Sequence, residues 1–260
     1  MPPDPAPPDD LAALASGAAA LGVALGAEQL AAFATYRTLL LEWNARFNLT
    51  AITDPAQIAT RHFLDSLTVA LGVPRARWAG ALRLLDVGSG AGFPGLALAI
   101  AFPQWHVTAL EAIGKKVSFL RHVATTLGLA RVRVLPGRAE ALAHAPAERG
   151  RYDVVTARAV AALPTLLEYC QPFARVGGLV LAPKKGELAA ELAAGRRAAA
   201  ALGGRMEAPL PVDVPGLEGG RVLVVVAQER PCPTPYPRPA GAARKQPLGL
   251  VSQLRPSPSS

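Results

Sequence analysis

Residues 84–95 read LLDVGSGAGFPG, and this stretch decides the fold. The apolar run from Leu82 to Val87 predicts a strand, the glycines after it predict a tight turn, and the apolar residues after Pro94 predict a helix. A strand, a glycine-rich turn and a helix form the first unit of a doubly wound α/β sheet, whose ligands bind at the carboxyl ends of the strands. We therefore predict an α/β fold with a doubly wound, mostly parallel sheet.

The glycine loop is ambiguous about its ligand. Gly90, Gly92 and Gly95 match the dinucleotide pattern G-x-G-x-x-G. However, Gly88 already occupies the end of the strand, and Asp86 just before it would repel a pyrophosphate. The carboxylate could instead orient the loop or help to hold a cationic ligand. An acid followed by these glycines resembles the first motif of class I methyltransferases that use S-adenosylmethionine. An NAD-type module and a tight turn without a ligand remain as alternatives.

Strands and helices alternate after this first unit, over a predicted sheet domain at 81–230. This order predicts parallel strands covered by helices on both faces. The predicted strands are Leu82–Val87, Trp105–Glu111, Val132–Leu135, Tyr152–Ala157, Gly178–Ala182 and Arg221–Gln228. The predicted helices are Gly95–Phe102, Lys115–Leu127, Leu163–Phe173 and 187–202.

Three further segments flank the sheet domain. An amphipathic helix is predicted over 28–47, and Asp54 is predicted to cap the next helix. Disorder is predicted for residues 1–10 and beyond Leu250, because both ends are rich in proline and lack an apolar period. The segments are a Pro/Ala-rich lead at 1–27, a helical extension at 28–80 and a Pro-rich basic tail at 231–260.

Composition and length exclude several classes of protein. The 260 residues are 51% hydrophobic, which suits one large domain, or one domain with an extension. No apolar run approaches the roughly 18 residues that a membrane span needs. The first ten residues are acidic and rich in proline, unlike a signal peptide. Two cysteines, Cys170 and Cys232, form neither a disulfide framework nor a metal-binding cluster. We therefore expect a cytoplasmic protein.

The positive charge is concentrated in the second part of the chain. Residues 1–80 hold 5 Lys and Arg against 7 Asp and Glu, a net charge of −2. Residues 81–260 hold 22 against 12, a net charge of +10. This distribution favours a polyanionic partner, with nucleic acid first, although a merely soluble basic surface gives the same composition.

Candidate cofactor contacts lie at the ends of the predicted strands. Glu111 closes the second strand, where a carboxylate suits the ribose hydroxyls of an adenosine, and Ala112 and Ile113 would then flank the adenine. Residues 137–140, GRAE, offer backbone donors and a carboxylate to the adenine edge, or form an ordinary surface loop. Arg158 follows the fourth strand at the mouth of the cleft. It is either a functional cation or an ordinary surface arginine.

The absence of certain residue types limits which chemical groups could accept the methyl group. Residues 156–160 read TARAV, so the Asn/Asp-Pro-Pro-aromatic loop of amino-directed methylases is absent. Cys170 lies in a predicted helix and Cys232 in the tail, so neither suits a pyrimidine methylase that needs a cleft cysteine. An acceptor with its own lone pair remains, such as guanine N7, which needs alignment but no general base. We therefore expect no catalytic acid or base.

Several motifs together carry a more specific resemblance. The chain resembles the small-subunit ribosomal RNA methyltransferase G family, also called glucose-inhibited division protein B, over about residues 40–190. The tail resembles the ends of some members. The matching stretches are WNARFNLT at 43–50, RHFLDS at 61–66, DVGSGAGFPG at 86–95, GKKVSFL at 114–120, ARA at 157–159 and KKG at 184–186.

The resemblance implies methyl transfer from S-adenosylmethionine to N7 of one guanosine in small-subunit (16S) rRNA. The implied partner is the rRNA or a ribosomal particle, with no membrane and no metal, and we expect a monomer. The alternative is an RNA-associated nucleotide-binding module, NAD-type or regulatory, without methyl transfer. Cofactor contacts carried over by the resemblance are Gly88, Phe93, Ala139, Glu140 and Arg158. Those added by the arguments above are Asp86, Gly90, Glu111, Ala112 and Ile113.

RNA-facing residues are predicted from basic character and position near the cleft edges. His62 has an equally good alternative as a packed, hydrogen-bonded helix residue. Arg158 is assigned to cofactor or phosphate positioning, because a cation beside a forming cationic base is unfavourable unless a carboxylate or phosphate accompanies it. The predicted RNA-binding residues are Arg61, His62, Lys115, Lys116, Lys184 and Lys185.

Overall fold

The computed structural model describes residues 9–217 and 219–250. The disorder predicted for the two ends falls mostly outside these residues. The exception is the start of the first helix at Asp9, so the prediction is wrong for residues 9–10. Asp54 caps the third helix as predicted, since its Oδ1 accepts a hydrogen bond of 2.9 Å from the Gln57 backbone N–H. No described helix is both long and apolar enough to cross a membrane.

The described residues contain ten α-helices, one π-helix and three short 3-10 helices. The α-helices are α1 Asp9–Ala20, α2 Ala27–Phe47, α3 Pro55–Gln57, α4 Asp65–Leu67, α5 Gly95–Ala101, α6 Gly114–Thr126, α7 Ala139–Leu142, α8 Leu163–Cys170, α9 Ala189–Ala201 and α10 Ala242–Lys245. A π-helix, Ile58–Leu64, joins α3 to α4. Short 3-10 helices cover Thr68–Gly72, Arg75–Arg77 and Gln171–Phe173.

The strands of the described residues are β1 Arg83–Val87, β2 His106–Glu111, β3 Val132–Pro136, β4 Tyr152–Thr156, β5 Ala174–Lys185, β6 Gly204–Met206, β7 Leu210–Val212 and β8 Arg221–Gln228. They form one sheet in the order β3-β2-β1-β4-β5-β8-β6, with β7 also paired to β8. The first five strands are parallel to one another, and β8 is antiparallel to β5, β6 and β7. The predicted mostly parallel, doubly wound sheet is confirmed.

The sequence patterns missed some features of the sheet. Strands β6 and β7 are three residues long, too short to show an alternating pattern. Strand β5 has twelve residues where five were predicted, because its two ends lack the continuous apolar run of its middle. The predicted helix after Asp54 is regular, whereas the structure contains a π-turn segment there. Such segments frequently occur at functional sites.

Two hydrophobic clusters cover the two faces of the sheet. Leu84 of β1 belongs to the first cluster and Leu85 to the second, because successive side chains of a strand point to opposite faces. The first cluster includes Leu11 of α1 and Phe33 of α2, both essentially inaccessible to solvent. The amino-terminal helices therefore cover one face of the sheet, and α8 and α9 cover the other.

Candidate active site

The loop between β1 and α5 depends on glycine at three positions. Gly88, Gly90 and Gly92 have φ angles of +70°, +62° and +94°, in the left-handed region that side chains disfavour. The backbone N–H groups of Gly88 and Ser89 both donate to the carbonyl of Leu110 in β2, at 2.9 and 3.0 Å. The loop is thereby fixed at the carboxyl edge of the sheet, as the sequence predicts.

Asp86 lies beneath this loop and faces no solvent. Its Oδ2 accepts hydrogen bonds from the Ser89 hydroxyl and, at 2.9 Å, from the Gly95 backbone N–H. Burial raises the pKa of this carboxyl to about 6, against the opposing effect of these two hydrogen bonds. Asp86 therefore orients the loop. It is absent from the cavity lining, so direct contact with a cationic ligand, the other role offered for it, does not fit this geometry.

Glu111 connects the end of β2 to the glycine loop. Its Oε1 accepts hydrogen bonds from the backbone N–H groups of Ala112 and Ile113, both at 2.8 Å, and its Oε2 accepts one from Gly90 at 2.9 Å. An ionised carboxylate has about four acceptor positions. Three of these positions accept bonds from the protein backbone, so about one is left for a ribose hydroxyl. The prediction that Glu111 makes two hydrogen bonds to the ribose therefore exceeds what this geometry leaves free.

A cavity of about 600 Å³ opens above the loop and the ends of the parallel strands. Its size is within the roughly 300–1,000 Å³ range of small-molecule sites. A Cβ atom added at Gly90 would have no atom nearer than 3.9 Å, so the loop leaves open space there. Nine of the ten predicted cofactor residues line the cavity, namely Gly88, Gly90, Phe93, Glu111, Ala112, Ile113, Ala139, Glu140 and Arg158.

Arg158 is paired with a carboxylate that the sequence analysis did not assign. Its Nη1 donates to Asp65 Oδ2 at 2.7 Å, and Arg221 Nε donates to the other oxygen of Asp65 at 2.8 Å. These three side chains are only 13–16% exposed. Asp65 is part of the RHFLDS motif, which was the available signal. Arg221 lies 156 residues away, and no local pattern connects them.

His62 lines the cavity but is not a basic residue at neutral pH. Its ring stacks on Phe93 with centroids 4.5 Å apart and planes at 15°, and its Nε2 lies 2.8 Å from the Thr50 hydroxyl. Burial, followed by the Arg158 charge, lowers the pKa of His62 to about 4. The alternative of a packed, hydrogen-bonded histidine therefore fits, and the choice of His62 as an RNA-binding cation does not.

The other predicted RNA-binding residues differ in exposure. Lys115 is exposed and Lys116 lines the cavity, both in the first turn of α6. Lys185 is exposed and lines an adjacent cavity of about 280 Å³ together with Arg158. Lys184 is 14% exposed, and its Nζ donates to Glu191 at 2.8 Å and to the Ala161 carbonyl at 3.0 Å. Arg61 is exposed.

The cavity wall also includes residues that the sequence reasoning missed. Thr50 comes from the segment before α3, and Tyr169 comes from α8. Gly241 and Arg244 come from the tail, far along the chain from the other lining residues. The likeness of the tail to the ends of some family members was the available signal for this last pair.

Comparison with known proteins shows which family this chain belongs to. The family model described as rRNA small subunit methyltransferase G matches residues 29–210. The chain belongs to this family. A methyltransferase G from Roseiflexus sp. strain RS-1 is 49% identical over 236 residues, which are 90% of this chain and 98% of the relative. A methyltransferase G from Geobacillus kaustophilus is 41% identical, over 87% of this chain and 94% of the relative.

A solved structure supports the fold in the same way. It comes from Klebsiella pneumoniae, and its description assigns it as an O-methyltransferase. The TM-score is 0.51 at 18% sequence identity, over 75% of this chain and 90% of that one. At this identity the likeness concerns the fold alone. The resemblance to the methyltransferase G family and the expected methyltransferase fold are both confirmed.

Proposed function

We propose that this chain transfers a methyl group from S-adenosylmethionine to N7 of a guanosine in small-subunit (16S) rRNA. The observation that carries the proposal is the cavity in which the glycine loop and Glu111 meet, in a chain that belongs to the methyltransferase G family. Relatives up to 49% identical carry the name of ribosomal RNA small subunit methyltransferases. The NAD-type alternative is disfavoured, because Asp86 lies just before the glycines and would repel the pyrophosphate of NAD.

The residues of the cavity suit the chemical parts of S-adenosylmethionine. Gly90 leaves room above the loop, and the free acceptor position of Glu111 suits a ribose hydroxyl. Phe93 provides an apolar surface, and Ala139 begins a helix whose first backbone N–H groups suit the acceptors of adenine. When bound, the cofactor supplies an electrophilic methyl group on a positively charged sulfur.

The proposed reaction needs alignment of the two reactants and no general base. Guanine N7 carries no proton at neutral pH, so its attack requires proximity and alignment and no proton transfer. Asp65 neutralises the charge of Arg158. An unpaired arginine would repel the guanine, which becomes positively charged when N7 is methylated, and the ion pair removes this repulsion. Arg158 is thereby left to position the cofactor or a phosphate.

Exposed and half-buried cations around the cavity suit the phosphates of RNA. Lys115 and Lys116 follow β2, while Lys185 and Arg61 lie on the side of Arg158. Lys and Arg side chains at such positions release counterions from the nucleic acid when it binds. The proposal includes action as a monomer in the cytoplasm.

Two measurements test the proposed function. Equilibrium dialysis should detect binding of S-adenosylmethionine and no comparable binding of NAD. Mapping of N7-methylated guanosines after incubation with naked 16S rRNA and with small ribosomal subunits should show one new site in at least one of these substrates. NAD binding without S-adenosylmethionine binding, or a cofactor-bound enzyme that methylates neither substrate, would overturn the proposal.

A further inference from the structure

The tail that follows β8 is held against the sheet domain by a network centred on Arg149. This guanidinium donates to the backbone carbonyls of Cys232, Pro233 and Tyr236 in the tail, at 2.8–2.9 Å. It also donates to the Ala143 carbonyl at 2.9 Å, beside α7. One arginine therefore fixes the start of the tail to the segment that follows β3.

A second anchor lies on α8. Glu168 is fully buried, and it accepts hydrogen bonds from Arg238 through the backbone N–H at 2.8 Å, Nε at 2.9 Å and Nη2 at 2.7 Å. A buried carboxylate is stable only when it is paired and hydrogen-bonded, and the tail supplies these bonds. Further along, the Thr165 hydroxyl donates to the Ala243 carbonyl at 2.9 Å. The tail is thus fixed along the length of α8.

These anchors bring α10 of the tail to the cavity. Gly241 and Arg244 line the cavity, although they lie beyond residue 210, where the match to the family model ends. The Arg244 Nη2 donates to the Val160 carbonyl at 3.5 Å. Tyr169 also lies beside Arg244. Burial and Glu140 raise the pKa of this tyrosine, and Arg244 opposes them.

We propose that Arg244 is a further cofactor-binding residue and that it closes the cavity over the adenosine half of S-adenosylmethionine. The inference rests on the proposed function and names a contact within the same site. Glu140 follows β3, next to the Glu111 end of β2, and Arg244 faces this side of the cavity together with Tyr169. The planar guanidinium can donate to adenine nitrogens or pack on the ring.

Calorimetric titration tests this assignment with a control on the same short helix. Lys245 is exposed like Arg244 but does not line the cavity, so Lys245→Ala removes an equal charge elsewhere on α10. We expect Arg244→Ala to weaken S-adenosylmethionine binding about fivefold to tenfold, in the range of one lost hydrogen bond. Lys245→Ala should change it less than twofold. Methylthioadenosine, which lacks the amino acid, should show the same loss as S-adenosylmethionine.

The remaining outcomes overturn the assignment. Equal affinities in the two variants would remove Arg244 from the cofactor site. A loss limited to RNA binding would make α10 an RNA-binding segment, and a loss with S-adenosylmethionine but not with methylthioadenosine would place Arg244 at the amino-acid half. If the unaltered chain itself fails to bind S-adenosylmethionine, it is the proposed function that fails, so the two failures are distinguishable.

Discussion

At the scale of single residues, hydrogen bonds to two buried carboxylates fix the geometry of the glycine loop. Asp86 binds Ser89 and Gly95 of the loop, and Glu111 binds the backbone of Gly90 from the neighbouring strand. A Cβ atom added at Gly95 would lie 2.8 Å from Asp86 Oδ2, so even this non-strained glycine has no room for a side chain. The loop therefore combines positive φ angles with close packing around two carboxylates.

The Gly90→Val substitution tests the position of the cofactor. Gly90 and Gly128 have φ angles of +62° and +61°, and an added Cβ meets no close atom at either one. Valine should therefore lower the free energy of unfolding similarly at both positions, by about 1–2 kcal/mol or more, because of the left-handed backbone. Only the Gly90 variant should lose S-adenosylmethionine binding, by more than tenfold in calorimetry. Equal cofactor affinities in the two variants would place the cofactor elsewhere.

Asp86 also gives a prediction about stability and pH. The pKa of its carboxyl rises from 3.8 to about 6 on folding, so the folded state disfavours ionisation. Its contribution to stability is fully present below pH 3.8 and is lost as the pH rises towards 6, by up to about 3 kcal/mol. An asparagine at this position does not ionise, so the Asp86→Asn variant should not lose stability over this pH range. Its amide oxygen can still accept the hydrogen bonds from Ser89 and Gly95.

The test of this prediction is urea denaturation of both proteins between pH 4 and pH 7. The stability of the Asn variant relative to the parent should increase over this interval. Parallel curves would show that Asp86 does not titrate in this range. Because Asp86 does not line the cavity, cofactor affinity at pH 7 should change less than threefold. A much larger loss would favour the direct contact with a cationic ligand.

At the scale of elements, the end of β5 separates two lysines that are adjacent in sequence. Alternation along a strand places Ala182 in one hydrophobic cluster and Leu181 in the other, and it directs Lys184 and Lys185 to opposite faces in the same way. Both lysines line the cavity that contains Arg158, but Lys184 is held by Glu191 near the start of α9, while Lys185 is exposed. The sequence predicts RNA binding by both lysines. The geometry gives them different roles.

Charge reversal at each lysine tests this separation. Lys185→Glu should lower the slope of log affinity for rRNA against log salt by about 1, because one phosphate contact is lost. Lys184→Glu should lower the melting temperature, because it places two carboxylates together, and should leave the slope nearly unchanged. Arg230→Glu, which is exposed beyond the opposite end of β8, is the control. Loss of slope in Lys184→Glu but not in Lys185→Glu would reverse the two roles.

At the scale of the whole molecule, the proposed N7 mechanism predicts how the rate of methyl transfer depends on pH. The pKa of His62 is about 4, so this residue is uncharged from pH 6 to pH 9. Asp86 titrates near pH 6, at the lower edge of this interval. Single-turnover methyl transfer with saturating substrates should therefore be nearly flat between pH 6 and pH 9. A tenfold rise in rate per pH unit would show an essential base and exclude this mechanism.

The alternation of strands and helices along the chain and most of the candidate cofactor site follow from local sequence. The strand, the glycine loop and the acid at the end of the next strand are short patterns, and parallel strands bring their carboxyl ends together at one edge. This is why nine predicted residues meet at the cavity, including Gly90 and Glu111. It also explains why the motifs sufficed to indicate the family.

Only the tertiary structure decided the charges around that site. Asp65 meets Arg158 across 93 residues and Arg221 across 156. The tail, held by Arg149 and other side chains, brings Arg244 to the same cavity from beyond the last strand. Burial made His62 neutral. Pairing and burial depend on which distant segments pack together, and a local pattern contains no information about that packing.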